Sequence, residues 1–187
     1  MNSGISSGKT GTVRSHPGGA LVSIAAAAGI VAGAYLLRGS LRQYEQLGYL
    51  GIFLISLIGN ATIVIPLPAP LIAFVGGSLY QALPAGLTAA AGAALGETTG
   101  YLAGRGGRVM AGSSDRFRRL EKLMAQRGFI VLFILSAIPN PLFDLAGIAA
   151  GSVGMPFRKF LWATFLGKSV KFVTLAYLGS LVYVPTN

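Results

Sequence analysis

The sequence predicts an all-α integral membrane fold: an inverted repeat with two opposed re-entrant helical hairpins, transmembrane helices and a cytoplasmic amphipathic helix. Three observations predict it. Of 187 residues, 53% are hydrophobic and only 11% charged, and the mean hydropathy of +0.66 lies well above that of soluble domains. Two of the most apolar stretches are interrupted by closely spaced prolines, which no continuous helix accommodates. A basic segment divides the two, and it fixes which side of the membrane each begins and ends on.

Charge and residue usage narrow the function classes. Fifteen Lys and Arg against five Asp and Glu give a formal charge of +10. Most of these cations flank apolar runs, which fits membrane topology and anionic headgroups rather than nucleic acid. The absence of cysteine excludes disulfides, thiolate metal sites and thiol nucleophiles. The single histidine, His16, lies ahead of the first apolar run, so a histidine base or ligand inside the membrane is not expected. No metal and no cofactor are expected, and the chain is not expected to be an enzyme.

Residues 1–19 are rich in Gly, Ser and Thr without apolar periodicity and read as a flexible tail. The piece GISSGKT imitates a phosphate-binding loop, but it has three residues between its glycines where the motif needs four, and no strand precedes it. The remainder, 20–187, reads as a single membrane domain. Its first element, 20–37, is a transmembrane helix read as an uncleaved signal anchor, since Leu21 to Leu37 carries no charge and no small-residue cleavage site follows. Ala25, Gly29 and Gly33 give it one smooth face.

The first repeat occupies 48–104. Tyr49 to Leu83 holds no charge but is broken at Pro66, Pro68 and Pro70. Ala85 to Gly104 then reads as one helix, with Gly92, Gly96, Gly100 and Gly104 forming a ridge for close helix contact. A linker over 105–127 carries seven basic and two acidic residues. Asp115 caps its amphipathic helix, Gly128 stops it, and Phe117, Leu120 and Met124 line one face. The second repeat, 128–183, holds a break at Pro139 and Pro141 and a last apolar helix from about Phe160 to Val182, containing Lys168 and Lys171.

Topology turns the breaks into hairpins. The positive-inside rule puts the linker, Arg158 and Lys159 in the cytoplasm. Phe129 to Val153 then starts and ends on one side, and it is too short for two crossings of about 20 residues each. By the same parity Tyr49 to Leu83 enters and leaves on the outer side. IPLP at Ile65 to Pro68, with LGE at Leu95 to Glu97, matches IPNP at Ile138 to Pro141, with LGK at Leu166 to Lys168. Oppositely entering repeats with broken segments enclose a polar site near the bilayer midplane.

The proline hairpin followed by GGSLY, the segment GETTGYLAGRGG, the stretch AGIAAGSVGMPFRKFLWATFLGK and the ending YLGS together resemble the DedA family, also called VTT or SNARE-associated membrane proteins. The resemblance covers about Gly48 to Ser180. It implies a lipid-handling transporter: bacterial members are linked to translocation of polyprenyl phosphate or phospholipid and to proton-motive force, eukaryotic relatives to phospholipid scrambling. Where polyprenyl-phosphate members carry arginines around the second hairpin, in a form like SRFIPGVR, this chain has Ser136 and Leu142. That departure favours a neutral or zwitterionic lipid.

Glu97 and Asp144 are the only acidic residues inside apolar segments, where ionisable groups cost about 2.5 to 3.5 kcal/mol on insertion scales. Each is a candidate proton or headgroup site, or else an ion-pair partner holding two helices together. Lys168 and Lys171, three apart on one helix, can answer those carboxylates or a lipid phosphate, or snorkel to the headgroups. Asn140 offers amide groups at the hairpin tip, where turn-forming is the alternative. Pro66, Pro68, Pro139 and Pro141 shape the hairpins. Arg105 shares a stripe with Glu97 and Tyr101 and reads as a cytoplasmic anchor.

The expected function is a lipid transporter or scramblase, with membrane lipids as partners and protons as candidate coupling ions, in the plasma or inner membrane of a prokaryote. The alternatives are a proton-coupled small-solute transporter and a non-transporting membrane scaffold; a hydrolase using Glu97 and Asp144 as a dyad is the remotest.

Overall fold

A computed structural model describes residues 45–61, 69–106, 115–139 and 143–182. The expected tail and transmembrane helix over 20–37 lie outside the described residues, as do Pro66, Pro68, Asn140 and Pro141. The described residues form helices α1 (Glu45–Ala61), α2 (Ala69–Leu79), α3 (Ala82–Gly96), α4 (Thr98–Arg105), α5 (Asp115–Ala137), α6 (Phe143–Ser152) and α7 (Phe157–Leu181), with no strand among them. The fold is all-α, as expected.

No helix among the described residues is long and apolar enough to cross a membrane. Their lengths give the reason. At about 1.5 Å per residue, α2 and α6, of 11 and 10 residues, reach only about half of a hydrocarbon core roughly 30 Å thick. α7 has the length but carries Arg158, Lys159, Lys168 and Lys171.

One element differs from its sequence reading. Ala85 to Gly104, expected as one helix, is divided at Glu97 into α3 and α4. The joint is shallow: Glu97 keeps φ −64° and ψ −13°, its N–H bonds to the Ala93 carbonyl, and its own carbonyl accepts from Tyr101. The Thr98 and Thr99 hydroxyls donate back to the Leu95 and Gly96 carbonyls, a competition that bends helices. The amphipathic helix ends where expected: Arg127, just before Gly128, leaves helical geometry (φ −139°, ψ 39°), and beyond this kink a second, apolar helix runs to Ala137, the two together forming α5.

The ends of each expected hairpin lie close together, while the turns themselves, within 62–68 and 140–142, lie outside the described residues. The rings of Tyr49, on α1, and Tyr80, at the end of α2, lie 5.3 Å apart, so the first pair returns to its starting level. At the second, Gly128 at the start of the apolar part of α5 meets Met155 just beyond α6. The packing is made by small residues. A methyl on Gly77 of α2 would overlap the Ala176 carbonyl of α7, and one on Gly179 of α7 would overlap the Phe74 carbonyl of α2. The other half repeats this: Gly151 of α6 abuts the Tyr101 carbonyl of α4, and Gly104 of α4 abuts the Ile148 carbonyl of α6. Two cores result, one around Tyr101, Leu132, Phe143 and Phe160, the other around Ile52, Ile72, Ala89 and Phe172.

Candidate functional site

Where the two cores meet, the chain buries a full ion pair. Lys168 Nζ, on α7, lies 3.0 Å from Glu97 Oε1, with the two side chains only 3% and 6% exposed. It also donates to Asn60 Oδ1 of α1 at 2.8 Å. Asn60 is held for this role, since its amide nitrogen donates to the Ser56 carbonyl at 2.7 Å and so turns its oxygen toward the lysine. Phe143, the first residue of α6, places its ring centroid 4.6 Å from Nζ, and Phe172 stands at 5.8 Å. One cation therefore draws together helices from both halves, and one of its ring neighbours belongs to each core.

Local sequence explains the positions. Glu97 occupies the joint between α3 and α4 and follows Gly96, whose missing side chain lets α3 approach the Leu57 carbonyl of α1. Lys168 follows Gly167, which lets α7 approach the Phe133 carbonyl of α5. LGE and LGK are thus equivalent not only in sequence but in contact: glycine brings two helices close, and the next residue turns a charge into the seam.

The seam also holds unused hydrogen-bonding capacity. The hydroxyls of Ser56, Thr164 and Ser169 are buried without a partner. Ser56 precedes Asn60 by four residues, Thr164 precedes Lys168 by four, and Ser169 follows it directly. Native interiors leave few such groups unpaired, and two of these three stand within a helical turn of Lys168 in sequence, the third within a turn of Asn60.

Of the residues expected at the site, the structure brings Glu97 and Lys168 together. Lys171 is half-buried with Nζ 5.2 Å from the Phe172 ring, beside the pair. Asp144 belongs to the first turn of α6, and its side chain lies outside what is described. Pro139 is exposed directly after the end of α5. Arg105 is exposed and donates to the Tyr101 hydroxyl at 2.9 Å, which in turn donates to the Met155 carbonyl at 2.6 Å; it anchors the end of α4 to the turn after α6. Asn60 was not expected. Its one signal was an amide inside an apolar run, six residues before Pro66. No group of His, Cys, Asp or Glu that could hold a metal ion occurs among the described residues.

A family model described as the VTT domain matches residues 65–181, well over half of the chain. Among curated proteins, the chain is similar to the vacuole membrane protein 1 homolog of Dictyostelium discoideum, with 48% identity over 52 residues. It is similar also to vacuole membrane protein KMS1 of Arabidopsis thaliana, 42% identical over 62 residues, and to vacuole membrane protein 1 of Homo sapiens, 45% identical over 51 residues. These matches cover 28%, 33% and 27% of this chain but only 13%, 15% and 13% of the relatives' lengths. The chain thus matches a small part of each. No solved structure matches it. The relatives are eukaryotic, so the expected prokaryotic plasma or inner membrane gains no support from them; a membrane protein does.

Proposed function

This chain belongs to the VTT-domain family of membrane proteins, and on that premise we propose that it is a lipid transporter or scramblase, carrying a headgroup along a polar seam between two opposed re-entrant hairpins while the acyl chains stay in the bilayer. The observation that carries this reading is the buried Glu97–Lys168 pair with Asn60 at the junction of the two cores. An ion pair at that depth costs desolvation that its mutual attraction scarcely offsets, so packing alone does not account for it. A zwitterionic headgroup carries one phosphate and one ammonium. It can take Lys168 with the first and Glu97 with the second, exchanging an internal pair for two external ones at little net electrostatic cost.

Other features support the same reading. Short α2 and α6, each following a chain break, have the length of half-membrane helices in an inverted repeat. The unpartnered hydroxyls of Ser56, Thr164 and Ser169 provide donors and acceptors along the route. We read 20–187 as one membrane domain, with repeats over 48–104 and 128–183. Its action is non-enzymatic, with membrane lipid as partner and Glu97 as the candidate proton carrier if transport is coupled.

The test is reconstitution into liposomes with headgroup-labelled phosphatidylcholine and an impermeant quencher. Wild-type chain should expose inner-leaflet label to the quencher, and E97Q or K168M should slow that exchange by about tenfold, the worth of one charge-assisted hydrogen bond. Label that stays protected with folded wild-type chain would rule the proposal out and favour a small-solute carrier.

A further inference from the structure

A second feature lies at the level where α5 kinks. Asp115 to Gln126 is densely charged, whereas Phe129 to Ala137 carries no charge, and the bend at Arg127 separates them. A surface-lying amphipathic helix that turns into an apolar one changes direction at the headgroup layer, which puts Arg127 at that depth. Against the bend packs the turn leaving α6. It is shaped by Gly154, whose φ of +68° few other residues adopt, and held by the Tyr101 hydroxyl on the Met155 carbonyl.

Between bend and turn lies a cleft of about 480 Å³ whose lining includes Arg127, Lys159, Gln126, Phe129, Ile130 and Met155. No carboxylate lines it. Both cations are exposed, and neither side chain makes an ion pair or hydrogen bond with a described residue. Directly beside them Phe129 and Ile130 are 41% and 55% exposed. Two unmatched cations over a concave surface, bordered on the membrane side by bare apolar groups, have the chemistry of an anionic amphiphile site. A free anion would satisfy the cations and leave the apolar border uncovered.

We propose that this cleft binds the headgroup of an anionic phospholipid, Arg127 and Lys159 taking the phosphate and Phe129 and Ile130 the first methylenes of its chains. The site is distinct from the Glu97–Lys168 seam: Lys159 lies about 13 Å from Lys168 along α7 at the helical rise. It does not depend on whether lipid crosses there.

Trp162, the sole tryptophan, is one turn from Lys159 on α7 and serves as donor. The full chain is placed in phosphatidylcholine nanodiscs holding a small fraction of dansyl-labelled phosphatidylglycerol, and energy transfer from Trp162 reads occupancy. Transfer should saturate and exceed that to dansyl-labelled phosphatidylcholine. R127Q and K159Q should each weaken it about fivefold, the worth of one cation beside an anionic lipid. R118Q/R119Q, which removes twice the charge of either single variant from exposed positions of α5 outside the cleft lining, should change it by less than about twofold, since diffuse attraction is screened by salt. An equal loss in R118Q/R119Q would make the attraction diffuse and end the proposal. So would displacement of the lipid by inorganic phosphate beyond that produced by chloride at equal ionic strength, since the ligand would then be a free anion.

Discussion

At the residue scale, Lys168 is held on every side by described partners. Its ammonium has three protons; one goes to Glu97, one to Asn60, and the rings of Phe143 and Phe172 cover it from both cores. Removing one partner of such a pair strands the other charge, at a cost of about 3 to 5 kcal/mol. Removing both strands nothing. K168M or E97Q alone should therefore lower the thermal midpoint in detergent far more than E97Q/K168M together, and a strictly additive cycle would show that the pair is not coupled in the folded protein. The sequence exposed both charged members, because an acid or a lysine stands out in an apolar run and the repeat aligned LGE with LGK. It did not expose Asn60. A neutral amide in an apolar helix carries no charge signal, and only its distance to Nζ gives it a role.

At the scale of elements, helices approach one another through glycines, and the fit leaves no tolerance. Gly77, Gly104, Gly151 and Gly179 each face a backbone carbonyl, which cannot rotate aside as a side chain can. Gly51, on α1, faces open space. G151V should cost about 1 to 3 kcal/mol or more, by forcing α6 off Tyr101. G51A should stabilise by about 0.5 to 1 kcal/mol, through the entropy a helical glycine loses. Thermal melts of both, followed by Trp162 fluorescence, check the contrast, and a G151V chain melting with wild type would mean that α4 and α6 do not touch as described. The glycine ridge was legible in the sequence because its spacing of four is a packing signal. The bend at Glu97 was not read: its backbone stays right-handed, and its local mark is the Thr98–Thr99 pair whose hydroxyls bond back to the Leu95 and Gly96 carbonyls. The end of the amphipathic helix before Gly128 was legible because glycine reads as a stop, and the backbone leaves helical geometry at Arg127.

At the scale of the molecule, the interior is small and the exterior large. Alanines at positions 73, 85, 89, 93, 146, 149 and 150 are buried, while Leu50, Ile58, Leu102, Ile134, Trp162 and Val170 stand more than two-fifths exposed. That inversion suits lipid, where association depends on close approach rather than on hiding apolar surface. The prolines and the positive-inside rule led to the expectation of two reversals, and the structure adds that Tyr49 lies beside Tyr80 and Gly128 beside Met155. If each pair of short helices enters and leaves by one face, and the two pairs use opposite faces, side-specific labelling has a definite pattern. The chain has no cysteine, so single cysteines can be introduced freely at the exposed positions Leu50, Gln81, Gln126 and Pro156. An impermeant maleimide added to sealed, oriented vesicles should reach Leu50→Cys and Gln81→Cys from one side only, and Gln126→Cys and Pro156→Cys from the other only. Should either pair divide between the two sides, its chain would cross the bilayer once instead of returning, and the hairpin reading of that pair would fall. The proposed transport along the seam of Glu97 and Lys168 would then lack the inverted-repeat frame on which it rests.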